Sequence, residues 1–296
     1  MSKEHPPHLH VPVLLDATLR ELAPKAGESY LDLTAGYAGH ASAVLELTQN
    51  DKESVLVDRD EYAIAHLQHL QDRGVRLMHT DFASAARQLV EEGRQFNLIL
   101  IDLGVSSPQL DQGERGFSFS RNGPLDMRMD RSSGFTASEL INQTTVQELA
   151  TVIHEYGEEP YMQAKRLAEV IVTNRPYRDT ESLASLIKQH YRGRTGKIHT
   201  ATRTFQALRI AVNDELGQVK AVLPLLPKLL QPGGRVGVIS FHSLEDRLVK
   251  RFFKEQEEAG FEAELQTLTK KPISGATDDV HNPRSRSAKL RVAVKK

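Results

Sequence analysis

Short apolar runs alternate with longer stretches of helical periodicity through the first hundred residues. Residues 29–34, 54–58, 75–79 and 96–101 are rich in Val, Leu and Ile and are bounded by turn residues. Runs of this kind are typical of buried strands. The segments between them carry apolar residues at helical spacing, as in the helix predicted to begin near Ala41. The pattern βαβαβαβ predicts an α/β fold with a parallel, doubly wound, Rossmann-like sheet.

The C-terminal part of the chain extends this sheet. A Pro-Gly-Gly turn at 232–234 precedes a fifth apolar run at residues 235–241. Residues 261–269 and 289–294 predict a final antiparallel pair of strands. Residues 274–279 predict a loop between them.

The middle of the chain predicts helices. The stretch between the fourth and fifth strands is far longer than a crossover needs, and Thr136 and Glu139 have capping-box spacing. We interpret residues 108–200 as an α-helical domain inserted between two parts of the α/β domain, 1–107 and 201–296.

Composition narrows the class of protein. The chain has 296 residues, of which 39% are hydrophobic and 26% charged, as in ordinary globular proteins. It has no apolar run long enough to span a membrane and no apolar secretory signal at its start. With no cysteine, disulfides and thiol chemistry are excluded and a zinc site is disfavoured, and no residue is assigned to a metal. These features favour a cytoplasmic protein.

Charge is balanced overall but uneven locally. The net charge is −1, yet residues 190–213 carry five Lys or Arg without an acid, and residues 281–296 carry six. Each run fits either a solvated loop or a surface that binds nucleic-acid phosphates. Charge alone leaves both interpretations open.

Candidate ligand-binding residues follow the first, second and fourth strands. Gly36 and Gly39 lie in the first strand-to-helix turn, and Asp58 ends the second strand. Asp102 opens an irregular segment, 102–130, of a length that usually lines a site. Ligands of α/β sheets bind at the carboxyl ends of strands. The glycines lack the dinucleotide spacing G-x-G-x-x-G, which argues against a NAD-dependent dehydrogenase.

Several sequence blocks resemble one known family. They are HVPVLL at 10–15, DLGVSSPQL at 102–110, YGEE at 156–159, ATRTFQALRIAVN at 201–213, SFHSLEDR at 240–247 and NPRSRSAKLR at 282–291. In this order they resemble the bacterial ribosomal RNA small subunit methyltransferase H family. The resemblance implies S-adenosylmethionine as cofactor and N4-methylation of a decoding-centre cytidine in 16S rRNA, within the small ribosomal subunit.

The resemblance also implies site residues. Asp58 would contact the ribose of the cofactor, and Phe82 would pack on its adenine. The other implied cofactor contacts are the residues of the glycine-rich turn, Gly36, Ala38, Gly39 and His40, together with Asp102 and Gln109. Many relatives have glycine at position 38, and alanine there would be strained if φ is positive. Asp102, with Ser106 or Ser107, is the candidate for catalysis on the cytosine amine.

RNA contacts are predicted less directly. Thr202, Gln206, Arg209 and Asn213 form a polar stripe on a helix predicted over 202–216. The stripe is either a solvated face or an RNA-binding one, and the candidates for RNA binding are Arg203, Gln206, Arg209, Asn213, His242, Arg284 and Arg286. The inserted domain would recognise the substrate. A homodimer, a DNA amino-methyltransferase and a non-catalytic ribosome assembly factor remain open alternatives.

Overall fold

A computed structural model of the chain describes residues 12–191 and 201–296. These residues separate into two compact units. The first contains the chain up to Gly104 together with Gly217–Lys296, and the second is Val105–Leu216. Each unit is described by itself below.

The first unit is built on one mixed sheet. Its strands are β1 (Tyr30–Asp32), β2 (Val55–Asp58), β3 (Arg76–His79), β4 (Phe96–Asp102), β5 (Leu230–Ser240), β6 (Leu265–Thr267), β7 (Ile273–Ser274) and β8 (Lys289–Lys295). The order across the sheet is β3-β2-β1-β4-β5-β8-β6, with β7 paired to β8. Strands β1 to β5 pair in parallel, whereas β8 is antiparallel to β5, β6 and β7. The predicted Rossmann-like sheet and its terminal antiparallel pair are confirmed.

Helices are found before, between and after these strands. In chain order they are α1 (Leu15–Leu22), α2 (Gly39–Thr48), α3 (Glu61–Gln71), α4 (Phe82–Glu91), α5 (Ser107–Asp111), α6 (Ala137–Gln143), α7 (Val146–Gly157), α8 (Tyr161–Thr173), α9 (Thr180–His190), α10 (Thr202–Asn213), α11 (Glu215–Val222), α12 (Leu226–Leu229), α13 (Ser243–Glu258) and α14 (Gly275–Asp278). Within the two described ranges, none of these helices combines the length and hydropathy needed to cross a bilayer.

Two apolar cores cover the two faces of the sheet. Successive residues of a strand point to opposite faces, so Ile99 joins one core while Leu98 and Leu100 join the other. One core includes side chains of α4, α12 and α13, and the other includes side chains of α1, α2 and α3. A sheet covered on both faces explains why its strands are continuously apolar.

Two local predictions in this unit are wrong. Strand β5 begins at Leu230, before the Pro-Gly-Gly turn, because that turn forms an irregularity in its pairing with β4 instead of ending a loop. Residues 274–279, predicted as a loop, contain the end of β7 and helix α14. The carboxyl of Asp279 accepts a hydrogen bond from the Leu14 amide, 2.9 Å away, which fixes this segment against the start of α1.

The second unit is helical and has its own core. Helices α5 to α10 lie within it, and its core includes Ile141, Leu149, Ile153, Leu167 and Leu208. The predicted capping box is present, because Thr136 accepts from the Glu139 amide and the Glu139 carboxylate accepts from the Thr136 amide. Between α5 and α6 the chain is largely irregular.

Helix α10 belongs to this second unit, although the sequence analysis assigned residues from 201 onward to the other domain. Phe205 and Leu208 of α10 belong to the apolar core of this unit, and Asn213, which is only 3% exposed, adds buried hydrogen bonds. Its Oδ1 accepts a hydrogen bond from the Met129 amide at 2.9 Å, and its Nδ2 donates to the Met127 carbonyl at 2.8 Å. These bonds tie the end of α10 to the irregular segment before α6.

We expect Asn213→Ala to lower the free energy of unfolding by about 2–3 kcal/mol, because it leaves a buried amide and a buried carbonyl without partners. Chemical denaturation would measure this. The matched control is Asn174→Ala, whose exposed side chain donates to the Val170 carbonyl within its own helix and whose loss should cost less than about 1 kcal/mol. Equal effects of the two substitutions would contradict this role for Asn213.

Candidate active site

Three aspartates lie at the carboxyl ends of neighbouring parallel strands in the first unit. Asp32 ends β1, Asp58 ends β2 and Asp102 ends β4. The order of strands reverses between β1 and β4, and open α/β sheets bind ligands at such a switch point. The three side chains therefore mark the candidate active site.

Asp58 shapes the turn that follows β1. Its Oδ2 accepts a hydrogen bond from the Gly36 amide and its Oδ1 accepts one from the Asp60 amide, each at 2.8 Å. Burial raises the pKa of Asp58, and these two amide hydrogen bonds partly lower it. The carboxylate thus joins the turn after β1 to the end of β2, and each of its oxygens can accept a further hydrogen bond.

The glycine-rich turn is tightly packed. A Cβ atom on Gly39 would lie 2.5 Å from the Pro12 Cγ, so position 39 admits only glycine without movement of the chain. Ala38, at the start of α2, has a φ of 65°, in the left-handed region that alanine disfavours. This is the strained case that the sequence analysis distinguished.

Asp32 is almost completely buried, with 1% exposure. Its Oδ2 accepts from the Tyr30 hydroxyl at 2.7 Å and its Oδ1 accepts from the Thr34 amide at 3.1 Å. Burial raises the pKa of Asp32 to about 6, although these hydrogen bonds act in the opposite direction. The buried Asp32 carboxyl stabilises the turn after β1, because it accepts the hydrogen bond from the Thr34 amide.

Asp102 combines buried and exposed character. Its side chain is 25% exposed, but its Oδ1 is buried and has no hydrogen-bond partner among the described residues. Its backbone amide donates to the Thr34 hydroxyl at 2.6 Å. Burial, followed by the nearby carboxyls of Asp32 and Glu245, raises the pKa of Asp102 well above its usual value.

Helix α13 begins beside the end of β5. His242 is its N-cap, with Nδ1 accepting from the Glu245 amide at 3.5 Å. The Glu245 carboxylate accepts in return from the His242 amide at 3.4 Å, and also from the Phe241 amide at 2.8 Å. Glu245 is buried, and its carboxyl is near enough to Asp102 to raise the pKa of that residue.

The family profile described as the MraW methylase family matches residues 7–296 of this chain. The chain belongs to the MraW methylase family. The resemblance stated from the sequence is thereby confirmed.

Similar proteins cover nearly the whole chain. The ribosomal RNA small subunit methyltransferase H of Synechocystis sp. is 48% identical, covering 97% of this chain and 93% of the relative. The protein of the same name from Acidobacterium capsulatum is 44% identical, covering 97% and 98%. An rRNA methylase structure from Streptococcus thermophilus aligns with a TM-score of 0.41 at 9% identity, covering 95% of this chain and 93% of that one.

The structure brings together most of the cofactor candidates that lie in the first unit. The turn at Gly36, Ala38, Gly39 and His40 joins β1 to α2, next to Asp58. Asp102 lies on the adjacent strand, with its Oδ2 3.6 Å from Nδ1 of His40. Phe82 occupies the first turn of α4 and is half-buried against the core.

The remaining catalytic and cofactor candidates lie in the second unit. Ser106 caps α5, its hydroxyl accepting from the Gln109 amide while the Gln109 Oε1 accepts from the Ser106 amide. Ser107 and Gln109 are buried. The Ser106 hydroxyl thus serves as the N-cap of α5. This structural role argues against a role of Ser106 in catalysis.

The predicted RNA-binding stripe on α10 is largely used within the second unit. Arg209 forms a two-point ion pair with Glu215, and Gln206 donates to the Tyr156 carbonyl. Asn213 is buried, so its side chain is not accessible to RNA. Arg203, which lies next to the stripe, pairs with Glu159, but its side chain is 53% exposed.

Other basic candidates fall on different parts of the chain. Arg284 and Arg286 are exposed near the start of β8, whereas His242 is engaged as the cap of α13. Arg192, Arg194 and Lys197, from the first basic run, lie outside the described residues.

Sequence reasoning gave no role to Asp32 or Glu245. Asp32 does open the Asp-x-x-x-Gly pattern before Gly36, so the spacing contained the signal. Glu245 stands three residues after His242, but histidine is an unusual cap, which concealed the capping box.

We expect Ala38→Gly to raise the free energy of unfolding by about 0.5–1 kcal/mol, because relief of the left-handed strain exceeds the entropy that glycine loses. Urea denaturation would measure this. Ala41→Gly, in the interior of the same helix, is the control and should destabilise by at least about 1 kcal/mol. If both substitutions destabilise, the strain at position 38 is not significant.

Asp32 also predicts a pH dependence of stability. Its pKa of about 6 in the folded state exceeds the value of about 4 in an unfolded chain. The folded state therefore binds more protons between these values, and the free energy of unfolding falls as pH rises through this window.

Asp32→Asn should remove the part of this fall that Asp32 contributes, which amounts to about 1.4 kcal/mol for each unit by which its pKa is raised. The parts contributed by Asp58 and Asp102, whose pKa values are also raised, should remain. Urea denaturation near the two ends of the window, compared with wild type, would measure it. The exposed Asp72 supplies the control Asp72→Asn, which should retain the wild-type dependence. A wild-type slope in Asp32→Asn would refute the prediction.

Proposed function

We propose that this protein uses S-adenosylmethionine to methylate N4 of a cytidine in the decoding centre of 16S rRNA, acting on the small ribosomal subunit. The observation that carries the proposal is the match to proteins named ribosomal RNA small subunit methyltransferase H, one of them 48% identical over nearly the full length of both chains. The acidic edge of the sheet provides chemistry that suits this reaction.

The first unit fits S-adenosylmethionine. The cofactor presents ribose hydroxyls, an ammonium group and a sulfonium, and carboxylates accept or attract all of these. Asp58 would hold the ribose, and the buried Oδ1 of Asp102 would accept from the ammonium or adenine amine. Because Gly39 packs against Pro12, position 39 has no room for a side chain, and the turn there presents only backbone to a ligand. When bound, the cofactor supplies a methyl group made electrophilic by the sulfonium.

The acceptor amine needs help from the protein. The lone pair of a cytosine N4 is delocalised into the ring, so an enzyme must bind its N–H groups with acceptors and remove a proton. Asp102 is the candidate for this task, because it is partly exposed and carries an oxygen without a partner among the described residues. Backbone carbonyls of residues 104–108, with Ser107, are further candidates.

RNA binding would rest on exposed arginines. We assign Arg284 and Arg286 of the first unit and Arg203 of the second to backbone phosphates, and the second unit to substrate recognition. Phosphate contacts make affinity fall steeply with salt. A stacked or paired cytidine must also be turned out before its amine becomes accessible.

The test is methyl transfer from labelled S-adenosylmethionine to small subunits from cells that lack this gene, with nucleosides identified by mass spectrometry. Free 16S rRNA and DNA are parallel substrates. We expect N4-methylcytidine with the subunits. Label in DNA would favour a DNA amino-methyltransferase, and cofactor binding without any labelled acceptor would favour a non-catalytic assembly factor.

Variants separate binding from chemistry. Asp58→Asn should weaken cofactor binding, measured by calorimetry, by about tenfold or more, the scale of one charge-assisted hydrogen bond. Asp102→Asn should retain measurable binding yet lose about 100-fold or more in turnover, because general-base removal has at least this effect. Loss of binding and turnover together in Asp102→Asn would reduce Asp102 to a cofactor ligand.

A further inference from the structure

His40 and Asp102 form a pair within the first unit. His40 lies in the first turn of α2 and is 6% exposed. Its Nδ1 is 3.6 Å from Oδ2 of Asp102, which is within ion-pair range and longer than a hydrogen bond. A buried imidazole thus faces the one carboxyl to which we assign proton removal.

Val13 fixes the orientation of this imidazole. The Nε2 of His40 lies 3.0 Å from the Val13 carbonyl oxygen. A carbonyl can only accept a hydrogen bond, so Nε2 keeps its proton whether the ring is neutral or charged. The nitrogen that gains or loses a proton is therefore Nδ1, which faces Asp102.

Burial and two nearby carboxyls oppose the ionisation of Asp102. Burial raises the pKa of Asp102 most, and the carboxyls of Asp32 on β1 and Glu245 on α13 raise it further. The Tyr30 hydroxyl is also near, but burial and the neighbouring carboxyls raise its pKa well above the usual value, so it stays neutral. An imidazolium at His40 supplies the opposite charge, which favours the carboxylate form.

We propose that His40 is a positioning residue whose imidazolium keeps Asp102 ionised, so that Asp102 can take the proton that the acceptor amine loses. The inference rests on the proposed function and deepens it. In the transfer, the N4 lone pair forms the new N–C bond, and the electron pair of the broken C–S bond stays on sulfur. One N4 proton moves to the carboxylate of Asp102, which becomes a neutral carboxyl. His40 acts through Asp102 and does not touch the substrate.

The first test needs no substrate. The pKa of the His40 imidazole is measured by NMR in the unliganded protein, in wild type and in Asp102→Asn. We expect the substitution to lower the pKa of His40 by about one unit or more, because an adjacent opposite charge has an effect of this size. The exposed His69 of α3 is the internal reference. An unchanged pKa of His40 overturns the proposal.

The second test is the pH dependence of kcat in His40→Gln. Glutamine retains an N–H group for the Val13 carbonyl but cannot carry a charge. We expect the acidic limb of the profile to move up by about one pH unit, with about tenfold lower kcat near pH 7 and recovery at higher pH. His69→Gln is the matched control and should keep the wild-type profile.

The outcomes separate the possible failures. An equal loss of kcat at every pH in His40→Gln would indicate a structural role and overturn the proposal. If wild type transfers no methyl group, the proposed function fails, and the NMR titration still decides whether the two residues form an ion pair. If His40→Gln does not fold, the titration in Asp102→Asn remains decisive.

Discussion

The geometry of the candidate active site depends on the two hydrogen bonds that Asp58 accepts from the Gly36 and Asp60 amides. They hold the turn after β1 against the end of β2. The same turn contains the left-handed Ala38 and leads into α2. The position of His40, and with it the contact to Asp102, follows from where α2 begins. One carboxylate therefore sets the backbone on which the other site residues are arranged.

Burial of carboxyls gives this edge of the sheet its chemical character. Asp32 and Glu245 are deeply buried and satisfied by hydrogen bonds from the chain, whereas Asp102 retains an oxygen without a partner among the described residues. Burial raises the pKa of Asp102 most, and repulsion from these two satisfied groups raises it further. A site with this balance favours ligands that bring positive charge or N–H donors, and it disfavours phosphate groups.

The sequence predicts more of the fold than of the candidate active site. Continuous apolar strands and helical periodicity indicated the sheet, because burial on both faces leaves a strong pattern in the sequence. The polar stripe on α10 shows the limit of such patterns. Its spacing is the same whether Asn213 faces solvent or bonds to Met127 and Met129, and only the tertiary structure distinguishes these cases. The pairing of His40 with Asp102 was equally hidden, since it joins residues of different elements that are far apart in the chain.

The contact of Gly39 with Pro12 has a consequence for how the site comes into being. The turn is held on one side by a segment that precedes β1 and on the other by Asp58 of β2, while Asp102 is supplied by β4. Neither end of α2 is stabilised by a side-chain cap, and both flanking residues, Ala38 and Gln49, are left-handed. The first strand and its turn therefore lack the local interactions needed to adopt this conformation without Pro12 and Asp58. During synthesis, ligand-binding competence would arise only after the fourth strand has been made and has paired beside the first.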